Sequence, residues 1–153
     1  MVMRFRNGDT LFARITPCLE NGKTAFIQGL PDGTTGWGST EFIVLRSKFP
    51  APPAYTYIMA RDTTFRSMAI QSMTGTSGRQ RARSEALGAF PVAIPSESVW
   101  LAFGSMIQSM FERIGANANE SATLAATRDL LLPKLMSGQI RLQAAEKALE
   151  AVA

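Results

Sequence analysis

Hydrophobic and polar positions follow two rhythms along this chain. Up to about residue 95 the pattern is short and interrupted: Asp9 to Ile15 alternates with the period of a strand, Thr24 to Ile27 offers another, and Thr40 to Arg46 is rich in β-formers. Asn21-Gly22, Pro31-Asp32-Gly33 and Gly36-Trp37-Gly38 read as turns between them. Pro50-Ala51-Pro52-Pro53 closes this region as a linker, and Tyr55 to Ala60 and Thr64 to Met73 then space their apolar residues as short helices do. A polar loop follows from Thr74 to Arg83, with no apolar side chain large enough to anchor it in a core.

After Pro91 and Pro95 the rhythm changes. Ser96 suits an N-cap, and Glu97 places a carboxylate where it complements the helix dipole. From there Phe103, Ile107, Met110, Ile114, Asn117, Ser121, Leu124, Arg128, Leu131 and Leu135 follow alternating spacings of four and three, a heptad-like seam. The poor helix formers in Gly115-Ala116-Asn117-Ala118-Asn119 predict a bend, Pro133 a kink, and Ser137-Gly138 a stop. Gln143 to Val152 reads as a short amphipathic terminal helix. Trp100 is placed to anchor the long helix to the first part, and Met106, Met110 and Phe111 read as helix-packing surface. The expectation is an α+β protein, with an irregular β-rich domain over residues 1–95 and a helical region over 96–153.

An apolar fraction of 46% over 153 residues can build a core. The longest apolar runs, such as Phe42 to Leu45, fall far below the roughly 20 residues of a membrane span, and Met1 to Arg6 lacks the apolar stretch of a secretory signal, so no membrane role and a cytoplasmic location are expected. With one cysteine, Cys18, and no histidine, the chain has no internal disulfide, no usual zinc ligand set and no Ser-His or Cys-His nucleophile pair. Gly75-x-x-Gly78 lacks the rest of a phosphate-binding loop, and Gly33, Gly36 and Gly38 fail the dinucleotide fingerprint. Pro52-Pro53-Ala54-Tyr55 is similar only in outline to the core motif of amino-methyltransferases, so no S-adenosylmethionine site is expected. No carboxylate pair with a lysine marks a metal-dependent nuclease. No cofactor, no metal and no catalysis are expected.

The charge is unevenly placed. Residues 1–95 hold eleven Lys and Arg against six Asp and Glu, whereas residues 96–153 hold five against six. A one-sided excess of positive charge suits a phosphate-backbone partner. Within the Thr74 to Arg83 loop, Arg79, Arg81 and Arg83 can bond bidentately to guanine, Gln80 to adenine, and Thr76 and Ser77 to phosphates. Arg14 and Lys23 join them as candidate double-stranded DNA contacts. The same composition fits a solvated surface loop equally well.

Three segments, in this order and separation, resemble the specificity subunits of type I restriction-modification enzymes: Gly8-Asp9-Thr10-Leu11-Phe12-Ala13-Arg14-Ile15-Thr16-Pro17-Cys18-Leu19-Glu20-Asn21-Gly22-Lys23, Gly38-Ser39-Thr40-Glu41-Phe42-Ile43-Val44-Leu45-Arg46, and Leu130-Leu131-Leu132-Pro133-Lys134-Leu135-Met136-Ser137-Gly138-Gln139-Ile140. The resemblance implies a target recognition domain followed by a spacer helix, in a subunit that reads DNA without catalysis. It implies modification subunits that methylate adenine and a restriction subunit that cleaves. Only seven residues precede Gly8, against several tens in a complete recognition domain, so the chain is expected to be N-terminally truncated.

The seam formed by Phe103, Ile107, Met110, Ile114, Leu124, Leu131 and Leu135 needs a cover, since burying each large side chain is worth roughly 1.5–3 kcal/mol. A homodimer through the long helix is one such cover, the chain's own first part a second, and a modification subunit a third. Two other roles stay open: a helical adaptor that docks a modification subunit without reading DNA, and an independent DNA-binding regulator.

Overall fold

The computed structural model describes residues 2–141. The terminal helix expected over Gln143 to Val152 lies outside them. The architecture is α+β, with five short strands, β1 (Met3–Phe5), β2 (Thr10–Ala13), β3 (Thr24–Phe26), β4 (Gly36–Gly38) and β5 (Phe42–Leu45), followed by α1 (Ala54–Arg61), α2 (Thr63–Gln71), α3 (Ser84–Leu87) and α4 (Glu97–Met136). The chain divides into two compact units, Met1–Phe111 and Glu112–Ala153.

In the first unit β2 is the centre of an antiparallel sheet of order β3-β2-β5, with Leu11 opposite Ala25 on one side and Val44 on the other. Side chains alternate across such a sheet. Thr10 and Phe12 therefore point one way and are fully buried, while Leu11 and Ala13 point the other. Phe12 meets Phe65 of α2 edge-to-face at 5.4 Å, and Thr10 shares a 3.0 Å hydroxyl bond with Thr56 of α1. Leu19, Ile43, Ala60, Ala69, Ala82 and Leu87 complete this core. Asp62 separates α1 from α2 and caps the latter, its Oδ1 accepting from the backbone N–H groups of Thr64 and Phe65.

Gly36-Trp37-Gly38 is a strand, where the sequence suggests a turn. It pairs with β1, itself without a clear sequence signal, through Met3↔Gly38, Arg4↔Trp37 and Phe5↔Gly36. The two glycines are needed for packing: a Cβ on Gly36 would fall 2.2 Å from the Phe5 ring, and one on Gly38 the same distance from Phe42. Bare backbone leaves both rings room to pack against the ribbon.

The helix α4 runs 40 residues without interruption through Gly115 to Asn119, where a bend is suggested by composition. The Trp100 N–H bonds to the Ser96 carbonyl at its start. Gly138, at φ 75°, turns the chain at its end, and the N–H groups of Gly138 and Ile140 return to the Leu135 and Lys134 carbonyls. Its opening turns belong to the first unit: Trp100 meets Tyr55 edge-to-face at 4.7 Å, Ile107 is buried, and Phe111 packs on Phe26 and Tyr57. Met106 and Met110, expected to pack, are exposed.

Candidate nucleic-acid interface

Strand direction gathers Arg14, Lys23 and the arginines of the Thr74 to Arg83 loop at one end of the sheet, while Arg6 and Arg46 lie at the other. β2 ends at Ala13, and its antiparallel partners β3 and β5 begin opposite that end. Residues 14–23 loop around it. Arg61, the last residue of α1, reaches the same loop and donates Nη1 to the Gly22 carbonyl at 3.1 Å.

The Thr74 to Arg83 segment is fastened there as well. Thr74 and Arg81 exchange both backbone bonds, at 3.1 and 2.9 Å, so residues 75–80 form a closed hairpin loop. Gly75 and Gly78, at φ 129° and 81°, supply its left-handed corners. The hairpin is stitched to residues 14–16: Thr16 N–H donates to the Gln80 carbonyl, Ala82 N–H donates to the Arg14 carbonyl, and Ile15 bridges Arg81. Ala82 is fully buried, so the loop does have an apolar anchor. The anchor was illegible because alanine is small and its burial depends on Arg14, far away in sequence.

The candidate contacts fall into two groups. Arg81 forks onto Glu41 through Nε–Oε2 at 2.8 Å and Nη2–Oε1 at 2.6 Å, and Arg14 directs Nε and Nη2 at the Ala82 carbonyl. Both guanidiniums therefore hold the loop in place. The Arg81 bond, together with the charges of Arg81, Arg14 and Arg79 and against some desolvation, keeps the Glu41 carboxyl below its usual range. Lys23, Thr76, Ser77, Arg79 and Arg83 are exposed and Gln80 is half-buried. Their side chains make no hydrogen bond or ion pair among the described residues, which leaves them available to a ligand.

Arg61 and Arg66 stand at the same end and carry no sequence signal, being single arginines on short helices. Of the carboxylates nearby, Glu41 is taken by Arg81 and Asp62 by the α2 cap, while Glu20 in the 14–23 loop is exposed and makes no ion pair with a described residue. Glu85 accepts from its own backbone N–H and from Ser84, which hold it below the usual carboxylate range. Beside Lys23 and Glu41 the outer sheet face forms an open, largely apolar cleft of about 420 Å³ floored by Leu11, Ala13, Ala25 and Phe42. No group of three or more metal-ligating side chains gathers among the described residues, and no helix among them is long and apolar enough to cross a membrane.

In the second unit Ile114, Leu124, Leu131 and Leu135 are exposed. The seam is thus divided: Phe103 and Ile107 are covered to different degrees within the first unit, and the residues beyond them are not.

Fold and site together define an α+β domain with a cationic end and a long helix whose large apolar side chains from Ile114 onward are exposed. The chain is 33% identical over 92 residues to the type I restriction enzyme EcoEI specificity subunit of Escherichia coli, a stretch covering 60% of this chain and 15% of that protein. It is 37% identical over 78 residues to the EcoAI specificity subunit of the same organism, covering 50% of this chain and 13% of that one. The chain is related to type I specificity subunits over part of its length, and these matches span only a small part of theirs. No protein-family model and no solved structure matches it.

Proposed function

We propose that this chain supplies DNA sequence recognition, without catalysis of its own, to a type I restriction-modification system. One observation carries the reading: a chain similar to two specificity subunits gathers its unpaired Arg79, Arg83 and Lys23 and the half-buried Gln80 at one end of a sheet. Arginine and glutamine offer the donor patterns that discriminate guanine and adenine in the major groove, and the hydroxyls of Thr76 and Ser77 suit phosphates. Residues 1–95 act as the recognition domain and residues 96–153 as spacer and docking element. The partners are double-stranded DNA, modification subunits that methylate adenine, and the restriction subunit in the full complex. Coexpression with a modification subunit, followed by mapping of methylated adenines, tests this. A methylation pattern that changes with this chain and with Arg79→Ala is expected; a pattern indifferent to the chain overturns the reading.

The exposed seam on α4 supports an assembly role beside recognition. An antiparallel pairing of α4 with a second copy would cover Ile114, Leu124, Leu131 and Leu135, with Asn117 and Ser121 fixing register. Two recognition surfaces related by a two-fold axis would then read an interrupted palindrome. A helical adaptor that has lost DNA reading uses the same seam, and salt-dependent duplex affinity of the isolated chain separates the two.

A further inference from the structure

We propose that Arg61 and Arg66, gathered over Gly22, form an anion site that takes a phosphate of a nucleic-acid backbone. The phosphate's source rests on the DNA-recognition reading; the anion site rests on geometry.

Gly22 sits in a tight turn at φ 66°, closed by bonds from Gly22 N–H to the Leu19 carbonyl and from Lys23 N–H to the Cys18 carbonyl. The missing side chain leaves the space that the two arginines use. A Cβ at position 22 would lie 2.4 Å from Nη1 of Arg66 and 3.9 Å from Nη1 of Arg61. Two guanidiniums, one ending α1 and one in the first turns of α2, therefore converge over the buried Gly22 beside exposed Lys23.

Neither has a carboxylate partner among the described residues. Arg61 spends one N–H on the Gly22 carbonyl. Arg66 makes no hydrogen bond or ion pair to a described residue, although it is partly buried. The Asp62 carboxylate between them is committed to the N–H groups of Thr64 and Phe65, and Glu20 on the turn is exposed and makes no ion pair with either arginine. Like charges held this close repel, and an oxyanion between them converts that repulsion into attraction on both sides. A phosphate suits the donors present, because guanidinium N–H groups bond oxyanion oxygens in parallel. The turn's own N–H groups at Gly22 and Lys23 are spent on carbonyls, so the arginines are the donors.

The test uses the full chain and two titrants, a short DNA duplex of arbitrary sequence and inorganic phosphate, followed through the arginine Nε–H resonances and by duplex affinity across salt concentrations. Arg66→Gln should weaken duplex binding on the order of tenfold. It should also lower the log–log salt slope by about 1, equally for all sequences and with unchanged thermal melting. Arg66→Lys should restore part of the slope. Unaltered affinity and slope in Arg66→Gln overturn the site while leaving DNA recognition standing. If the duplex fails to bind wild type but phosphate moves the Arg66 resonance, DNA recognition falls and the anion site stands with another phosphate source; silence toward both titrants overturns the site.

Discussion

Arg46 closes a two-pronged ion pair on Asp9, with Nε–Oδ1 and Nη2–Oδ2 both at 2.6 Å, across the end of the sheet opposite the basic loop. Asp9 is 1% exposed, whereas the Arg46 side chain is 46% exposed. Its Oδ2 also accepts the Arg6 backbone N–H at 2.8 Å. Burial raises the Asp9 carboxyl, and the bonds from Arg46 and Arg6 with their charges outweigh it, so the group titrates below its ordinary value. Arg46→Met leaves a buried carboxylate short of two donors and should cost about 1–3 kcal/mol, less than for a fully buried pair because Arg46 remains partly in water. Urea unfolding at neutral pH checks this.

A carboxyl with a depressed folded pKa contributes stability that is present above the unfolded value and lost as pH falls through the folded one. Wild type should therefore lose stability on acidification through and below the ordinary carboxylate range. Asp9→Asn should be less stable at neutral pH and show a shallower acid decline. Parallel declines for the two proteins would refute the assignment.

Thr10 and Thr56 form a buried relay: Thr56 donates to the Pro53 carbonyl at 3.1 Å, which leaves its oxygen to accept from Thr10. Thr56→Val strands the Thr10 hydroxyl and should cost about 1–3 kcal/mol. Adding Thr10→Val removes the stranded group, so the double variant should be more stable than the sum of the single losses predicts. A strictly additive thermal-denaturation cycle would contradict the relay.

Glu41→Gln should release Arg81 and delete a negative charge beside the basic loop. Duplex affinity is then expected to rise, with a salt slope steeper by about 1. A fall in affinity would mean that the ion pair is needed to hold the loop in its binding conformation.

On α4, Leu124 is 62% exposed and Ile107 is 7% exposed. Leu124→Asp should leave melting of the first unit unchanged and abolish any self-association seen by light scattering. Ile107→Asp places a charge in the core of the first unit and should destabilise it by on the order of 3 kcal/mol or more. Wild type that stays monomeric at high concentration refutes the homodimer.

Local order was readable in advance wherever it depends on neighbours in sequence. The strands around Phe12 and Ile43 showed their alternation, and α4 its start near Ser96 and its stop at Gly138, because period and capping chemistry act over a few residues. The same loop arginines were legible as cations, though not as free or engaged ones. That difference lies in a carboxylate 40 residues from Arg81 and a carbonyl 68 residues from Arg14.

The sequence by itself determined the fold class, the one-sided basic charge, the long helix and the lack of histidine chemistry, since each follows from composition or short-range pattern. Only the tertiary structure decided that Gly36 to Gly38 is a strand against Phe5 and Phe42, that Ile107 is covered within the first unit while Leu124 is exposed, and that Arg61 and Arg66 meet over Gly22. Those outcomes rest on contacts between residues far apart along the chain. Their existence depends on how strands and helices pack once formed, which no local pattern of residues encodes.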